Sequence, residues 1–129
     1  MIWHAVAIRL LRASNLFPKV ELIGGKVRAT LDATRFLDIH YDPTTGSYSY
    51  AFIDLTLPYP GDKRRFGWDD FPHPGDLEKE NLADHPHHFQ KRRPDGSWHF
   101  LGSSFRGDIE KEIPIVLEHI SEYLEPKAK

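Results

Sequence analysis

The sequence predicts an α+β fold: a mostly antiparallel β-sheet built from hairpins, with a C-terminal amphipathic helix packed on one face and an N-terminal segment able to form a second helix. Three observations carry this. From Val20 onward, short β-prone runs alternate with turns that contain glycine or proline. In residues 47–55, Tyr48, Tyr50 and Phe52 fall on one side and Ser47, Ser49 and Ala51 on the other, which is the two-residue period of a strand. Near the C-terminus, Ile109, Ile113, Val116, Leu117, Ile120 and Leu124 recur at spacings of three and four, the stripe of an amphipathic helix.

Residues 3–13 read as a helix with Trp3, Ala7, Leu10 and Leu11 on one face, although the alternation Val6, Ile8, Leu10 leaves a strand open. Asn15 and Pro18 end that element. Residues 20–23 and 26–31 flank Gly24-Gly25, a hairpin signal because tight turns need positive φ. A second hairpin joins residues 36–41 to 47–55 through Asp42-Pro43-Thr44-Thr45-Gly46, where proline presets φ and Gly46 can take the left-handed position. Residues 58–62 make a turn and 64–68 a further strand. Residues 72–86, with three prolines and a charged middle, read as an exposed loop of a length that is often functional. Residues 89–93 and 98–100 form a last hairpin around Pro94-Asp95-Gly96-Ser97. Asp108 is placed to cap the final helix. Pro114 lies off its apolar stripe, so the helix kinks there or starts near Ile113, and Pro126 ends it.

A chain of 129 residues suits one α+β domain, residues 1–129, with enough apolar residues (40%) for a real core. A formal net charge of −2 predicts no general attraction to nucleic acid or acidic membranes, so any such binding needs a local patch. The absence of cysteine removes thiol catalysis and sulfur-ligated zinc, and fits a reducing compartment. The longest apolar run, Ala5-Val6-Ala7-Ile8, is broken by Arg9 and Arg12 and cannot span a bilayer. No secretory pattern opens the chain. The expectation is a cytoplasmic protein without a membrane partner, with a homodimer allowed by the open sheet edge.

Chemistry concentrates in residues 66–90, which hold four of the eight histidines, the adjacent carboxylates Asp69 and Asp70, and a tryptophan. Three accounts fit. His73, His85, His87 and His88 with Asp69 or Asp70 could ligate a divalent ion, although adjacent His87 and His88 would point to opposite faces of an extended chain. Alternatively, imidazoles could move protons at neutral pH, as cleavage at an RNA 2′-hydroxyl requires, with Lys63-Arg64-Arg65 and Lys91-Arg92-Arg93 joining into a basic edge that holds phosphate. In the plainest account, Trp68 and Phe71 are core, Asp69 and Asp70 cap a turn, and the histidines fill loops. His40 and His99 read as strand residues. His119, near the C-terminal end of the last helix, is placed to favour the dipole as a cation.

Ser47-Tyr48-Ser49-Tyr50, then Phe66-Gly67-Trp68-Asp69-Asp70-Phe71-Pro72-His73, then His85-Pro86-His87-His88-Phe89 and the closing helix resemble the TumE-type toxins of prokaryotic toxin–antitoxin pairs, across residues 36–124. The matching positions are Tyr48, Trp68, Asp69, Pro72, His73, Pro86, His87 and His88. Gly67 stands where that family commonly has arginine, and Asp70 where it has asparagine. The resemblance implies a toxin with a cognate antitoxin protein, and the proton-transfer account of the histidines adds RNA as the target. On that reading His73, His87 and His88 transfer protons and Asp69 orients an imidazole. Arg64 or Arg65, with Arg92, holds phosphate, Trp68 stacks on a base or packs, and neither metal nor cofactor is needed. The alternatives are a protein-binding module without catalysis and a His/Asp metal-dependent hydrolase.

Overall fold

The computed structural model describes residues 2–125. Pro126, expected to stop the last helix, lies outside the described residues. Seven strands form one antiparallel meander in which each pairs with its sequence neighbour. They are β1 (Lys19–Ile23), β2 (Lys26–Thr30), β3 (Arg35–Tyr41), β4 (Tyr48–Asp54), β5 (Arg64–Asp69), β6 (His88–Arg92) and β7 (Trp98–Gly102). Two longer helices, α1 (Trp3–Ala13) and α3 (Ile109–Leu124), enclose the meander in sequence, and one turn of helix, α2 (Leu77–Glu80), interrupts the long β5–β6 connection.

The tight hairpins follow from the turn chemistry. Gly24, Gly25 and Gly46 all adopt positive φ, where a side chain would be strained. Asn15 closes α1 in the left-handed region at φ 60°, a conformation asparagine tolerates better than most residues. Asp108 accepts a hydrogen bond from the Lys111 amide and caps α3 from Ile109, so the helix starts well before Pro114. Pro114 sits inside the helix on its exposed side.

Both longer helices pack on one sheet face. Trp3, Ala7 and Leu11 of α1 and Ile109, Ile113, Val116 and Ile120 of α3 share a core with Val27, Leu37, Ile39, Tyr48, Tyr50, Phe52, Phe66 and Trp68. The alternating aromatics of β4 therefore point under the helices. The opposite face carries Arg28, Asp38, His40, Ser49, Asp69, His88, Gln90 and Arg92, and among the described residues the helix that reaches it is α2, whose Lys79 lies over Phe100. Burial of the helix-side aromatics supplies most of the cohesion, since each removes 150–250 Å² from water.

Two local features position the site. In the β4–β5 pairing, Ile53 faces Arg64 but Phe52 faces Phe66, so Arg65 is an extra residue at a bulge. β6 starts at His88, one residue before the sequence expectation, directly opposite Asp69 of β5. Directly opposed residues of an antiparallel pair share a face and lie close.

No helix among the described residues is long and apolar enough to cross a membrane.

Candidate functional site

The end of β5 and the start of β6 carry two polar clusters, one on each side of the sheet. On the helix-free face, Asp69 Oδ1 lies 3.1 Å from His88 Nε2. Gln90 Oε1 is 3.0 Å from the same nitrogen. His88 Nδ1 lies 3.0 Å from the Pro86 carbonyl oxygen, to which it can only donate. The His88 side chain is 2% exposed, so this imidazole is built into the protein. Asp69 is held from both sides: its Oδ2 accepts from Arg64 Nη1 at 2.9 Å and its Oδ1 from the Phe71 amide at 3.0 Å. His73 joins the cluster with its ring centre 5.1 Å from that of His88, and Lys79 Nζ lies 3.4 Å from its Nδ1. Burial, then the Lys79 charge, lowers the pKa of His73.

Arg64 reaches Asp69 because of two things. The bulge turns it onto the helix-free face, and Gly67 leaves the space that its side chain crosses. A Cβ on Gly67 would sit 3.0 Å from Arg64 Cδ and 2.5 Å from the Tyr50 carbonyl oxygen. The glycine at this position is thus matched to the arginine three residues earlier.

On the helix side, His87 stacks parallel to Tyr48, with ring centres 5.8 Å apart. The Tyr48 hydroxyl donates to the Phe105 carbonyl at 3.0 Å and lies 2.9 Å from His87 Nδ1. A carbonyl cannot donate, so the single hydroxyl proton goes to Phe105, and His87 Nδ1–H donates to the phenol oxygen. The lone pair then falls on Nε2, which makes no hydrogen bond among the described residues. Burial and the neighbouring Arg106 charge push the His87 pKa down, which favours the neutral ring. Arg106 is 50% exposed and oriented by Asp84 Oδ1 at 3.1 Å and by the carbonyls of Ser103 and Phe105, both at 2.7 Å. Below it, buried Glu112 accepts from Tyr50 Oη at 2.8 Å and from the Arg106 and Gly107 amides at 2.7 and 3.2 Å. That carboxylate ties the start of α3 to β4.

Of the residues expected from sequence, the fold brings Asp69, His73, His88 and Arg64 together and sets His87 apart. The basic triplets do meet, since Arg65 Nη1 donates to the Arg92 carbonyl at 2.6 Å. They meet at the wrong end of the strands: Arg65 and Arg92 are each four residues from Asp69 and His88, about 13 Å at strand rise. Arg92 stacks on Trp98 at 3.9 Å and donates to the Asp62 and Gly96 carbonyls, so it is a staple between turns. Trp68 packs; it is 6% exposed against Phe105, Phe89 and His119. Phe71, grouped with the core in the plainest account, is 59% exposed. His119 is half-buried among Phe66, Trp68 and Phe89, and that burial lowers its pKa, which corrects its placement as a helix-end cation. Arg106, Glu112, Gln90 and Lys79 were missed. Arg106 and Glu112 meet Asp84 and Tyr50 across 22 and 62 residues, and Gln90 and Lys79, whose partners are near in sequence, belong to no pattern that marks them.

The family model described as Toxin TumE matches residues 8–124. No curated protein and no solved structure matches the chain. With nearly its whole length covered, the chain belongs to the TumE toxin family.

Proposed function

We propose that this member of the TumE family is the toxin component of a toxin–antitoxin module, that a cognate antitoxin protein restrains it, and that it cleaves RNA by histidine chemistry. Family membership supports the toxin role. The arrangement Phe105 C=O, Tyr48 O–H, His87 Nδ1–H supports the chemistry, because it fixes the imidazole tautomer and leaves Nε2 as a neutral base. A base held by an orienting group is the usual geometry for proton abstraction.

In this reading His87 Nε2 takes the proton of a ribose 2′-hydroxyl. The freed oxygen attacks the adjacent phosphorus, the 5′-oxygen leaves and takes a proton from solvent, and a 2′,3′-cyclic phosphate remains. Arg106 supplies the charge that offsets the phosphorane oxygens. His88 and Asp69 act as positioning residues: the His88 bond to the Pro86 carbonyl holds the turn on which His87 is presented. The flanking cations of the outer cluster, Arg64 and Lys79, are engaged with Asp69, Asp76 and His73 and do not serve the phosphate.

Induced expression of the chain should arrest growth and fragment transcripts, and purified protein should leave cyclic-phosphate ends on a single-stranded oligoribonucleotide. His87→Ala should remove both effects while the protein stays folded. Growth arrest with intact RNA, or unchanged cleavage by His87→Ala, would sink the reading.

A further inference from the structure

We propose that Asp69, His73 and His88 form a binding site for a late first-row divalent metal ion, zinc or cobalt(II), that clamps the base of the β5–β6 excursion. One donor atom from each residue can be chosen so that all three lie within 4.8 Å of one another. They come from three places: the end of β5, the loop after it, and the start of β6. An ion there would join both ends of the excursion to its own first turn.

The surroundings of His88 carry the argument. Its two ring nitrogens face three oxygens: Pro86 O at Nδ1, and Gln90 Oε1 and Asp69 Oδ1 at Nε2. In its neutral form this imidazole has one N–H, and the backbone carbonyl takes it at Nδ1. Nε2 then turns a lone pair toward a carboxylate oxygen 3.1 Å away. A side-chain flip of Gln90 relieves one of these contacts but not the other. A cation between Nε2 and Oδ1, in the place a second ring proton would take, makes that contact a coordination, and an imidazole whose other nitrogen donates to a backbone carbonyl is the common outer arrangement of a metal ligand.

His73 points the same way. It holds φ 46°, a left-handed conformation costly for a residue with a Cβ. Its Nε2 is buried without a hydrogen-bond partner, and ligation through it requires the ring proton to move to Nδ1 and Lys79 to turn away from that nitrogen. Two imidazoles and one carboxylate suit zinc, cobalt or nickel rather than calcium or magnesium, which prefer oxygen. Arg64 on Asp69 and Lys79 beside His73 oppose a second positive charge. They weaken the site relative to one with acidic neighbours and sharpen its preference for nitrogen-seeking metals.

The test uses the full chain purified without a histidine tag and stripped with a chelator. Cobalt(II) titration should give a saturable visible absorption band at one equivalent, displaced by zinc. Zinc at about a hundred times its Kd should raise Tm by roughly 8–10 °C. His73→Ala, chosen because it sits in the loop and should leave the sheet folded, should lose the band and the Tm shift while keeping its far-ultraviolet spectrum. Absence of saturable binding to the wild-type chain would overturn the proposal, and so would equal binding by folded His73→Ala, which would put the ion on other histidines. Metal uptake is read without any RNA, so this site stands or falls apart from the cleavage reading.

Discussion

His87 and His88 are neighbours in the chain and opposites in the fold. His88 lies inside the sheet with both ring nitrogens engaged by Pro86, Gln90 and Asp69. His87 has one nitrogen tied to Tyr48 and the other uncommitted. The strand's two-residue period makes the difference, because consecutive side chains project to opposite faces. A His-His pair at the start of a strand therefore serves two environments at once. One imidazole can hold structure while the next one works.

The sharpest way to break this comparison is to remove each ring in turn. His87→Ala should lower RNA cleavage by about 10²–10⁴-fold, the range for loss of a positioned general base, with urea stability nearly unchanged. His88→Ala should do the reverse. It leaves the Pro86 carbonyl without its donor and a cavity where the buried ring stood, and should cost roughly 2–4 kcal/mol of stability. Chemical denaturation of both variants, alongside cleavage assays at a temperature where both are folded, separates the roles. If the two variants lose stability equally, the division between them is wrong.

How much of the fold and site is legible in the sequence follows from which contacts are local. The alternation Tyr48, Tyr50, Phe52 and the stripe from Ile109 to Leu124 depend only on period, and both were read correctly. The opposite sense of His87 and His88 follows from the same period and was also read. Trp68 and Phe71 were not separated. The strand ends at Asp69, and only the three-dimensional end of the strand leaves Phe71 exposed while Trp68 stays buried. The reach of Arg64 to Asp69 depends on a bulge against β4, which no feature within β5 announces. Tyr48 meets His87, Phe105 and the site beyond across 39 and 57 residues, and Tyr50 meets Glu112 across 62. Such pairings are set by how the helix closes on the sheet, so the role of Arg106 could not be read from its own neighbourhood.

A smaller change sharpens the His87 side. Tyr48→Phe removes the hydroxyl that links His87 Nδ1–H to the Phe105 carbonyl but keeps the ring on which the imidazole stacks. Cleavage should fall by about tenfold, comparable to one lost orienting hydrogen bond. The effect should appear in kcat rather than KM, since the phenol does not touch the nucleic acid. A loss confined to KM would instead place Tyr48 in contact with substrate.

The smallest expected effect concerns His119, a third imidazole that contrasts with both. Its ring packs on Phe66, Trp68 and Phe89, and burial lowers its pKa, with Glu122 on its own helix opposing that shift and Lys91 on β6 adding to it. Arg65 and Tyr123 line the same cleft. Because the folded-state pKa is depressed, the unfolded chain binds a proton here more readily than the folded one below about pH 6.5. The contribution to stability is therefore full above that pH and is lost as pH falls toward the folded-state pKa, then levels off. Urea midpoints at pH 7.5, 6.5 and 5.5 should converge between the wild-type chain and His119→Gln as pH falls, because the glutamine variant loses packing at every pH but has no proton to take up. A gap that stays constant across that range would mean that His119 titrates alike in both states, with Glu122 offsetting burial and Lys91 in the folded chain.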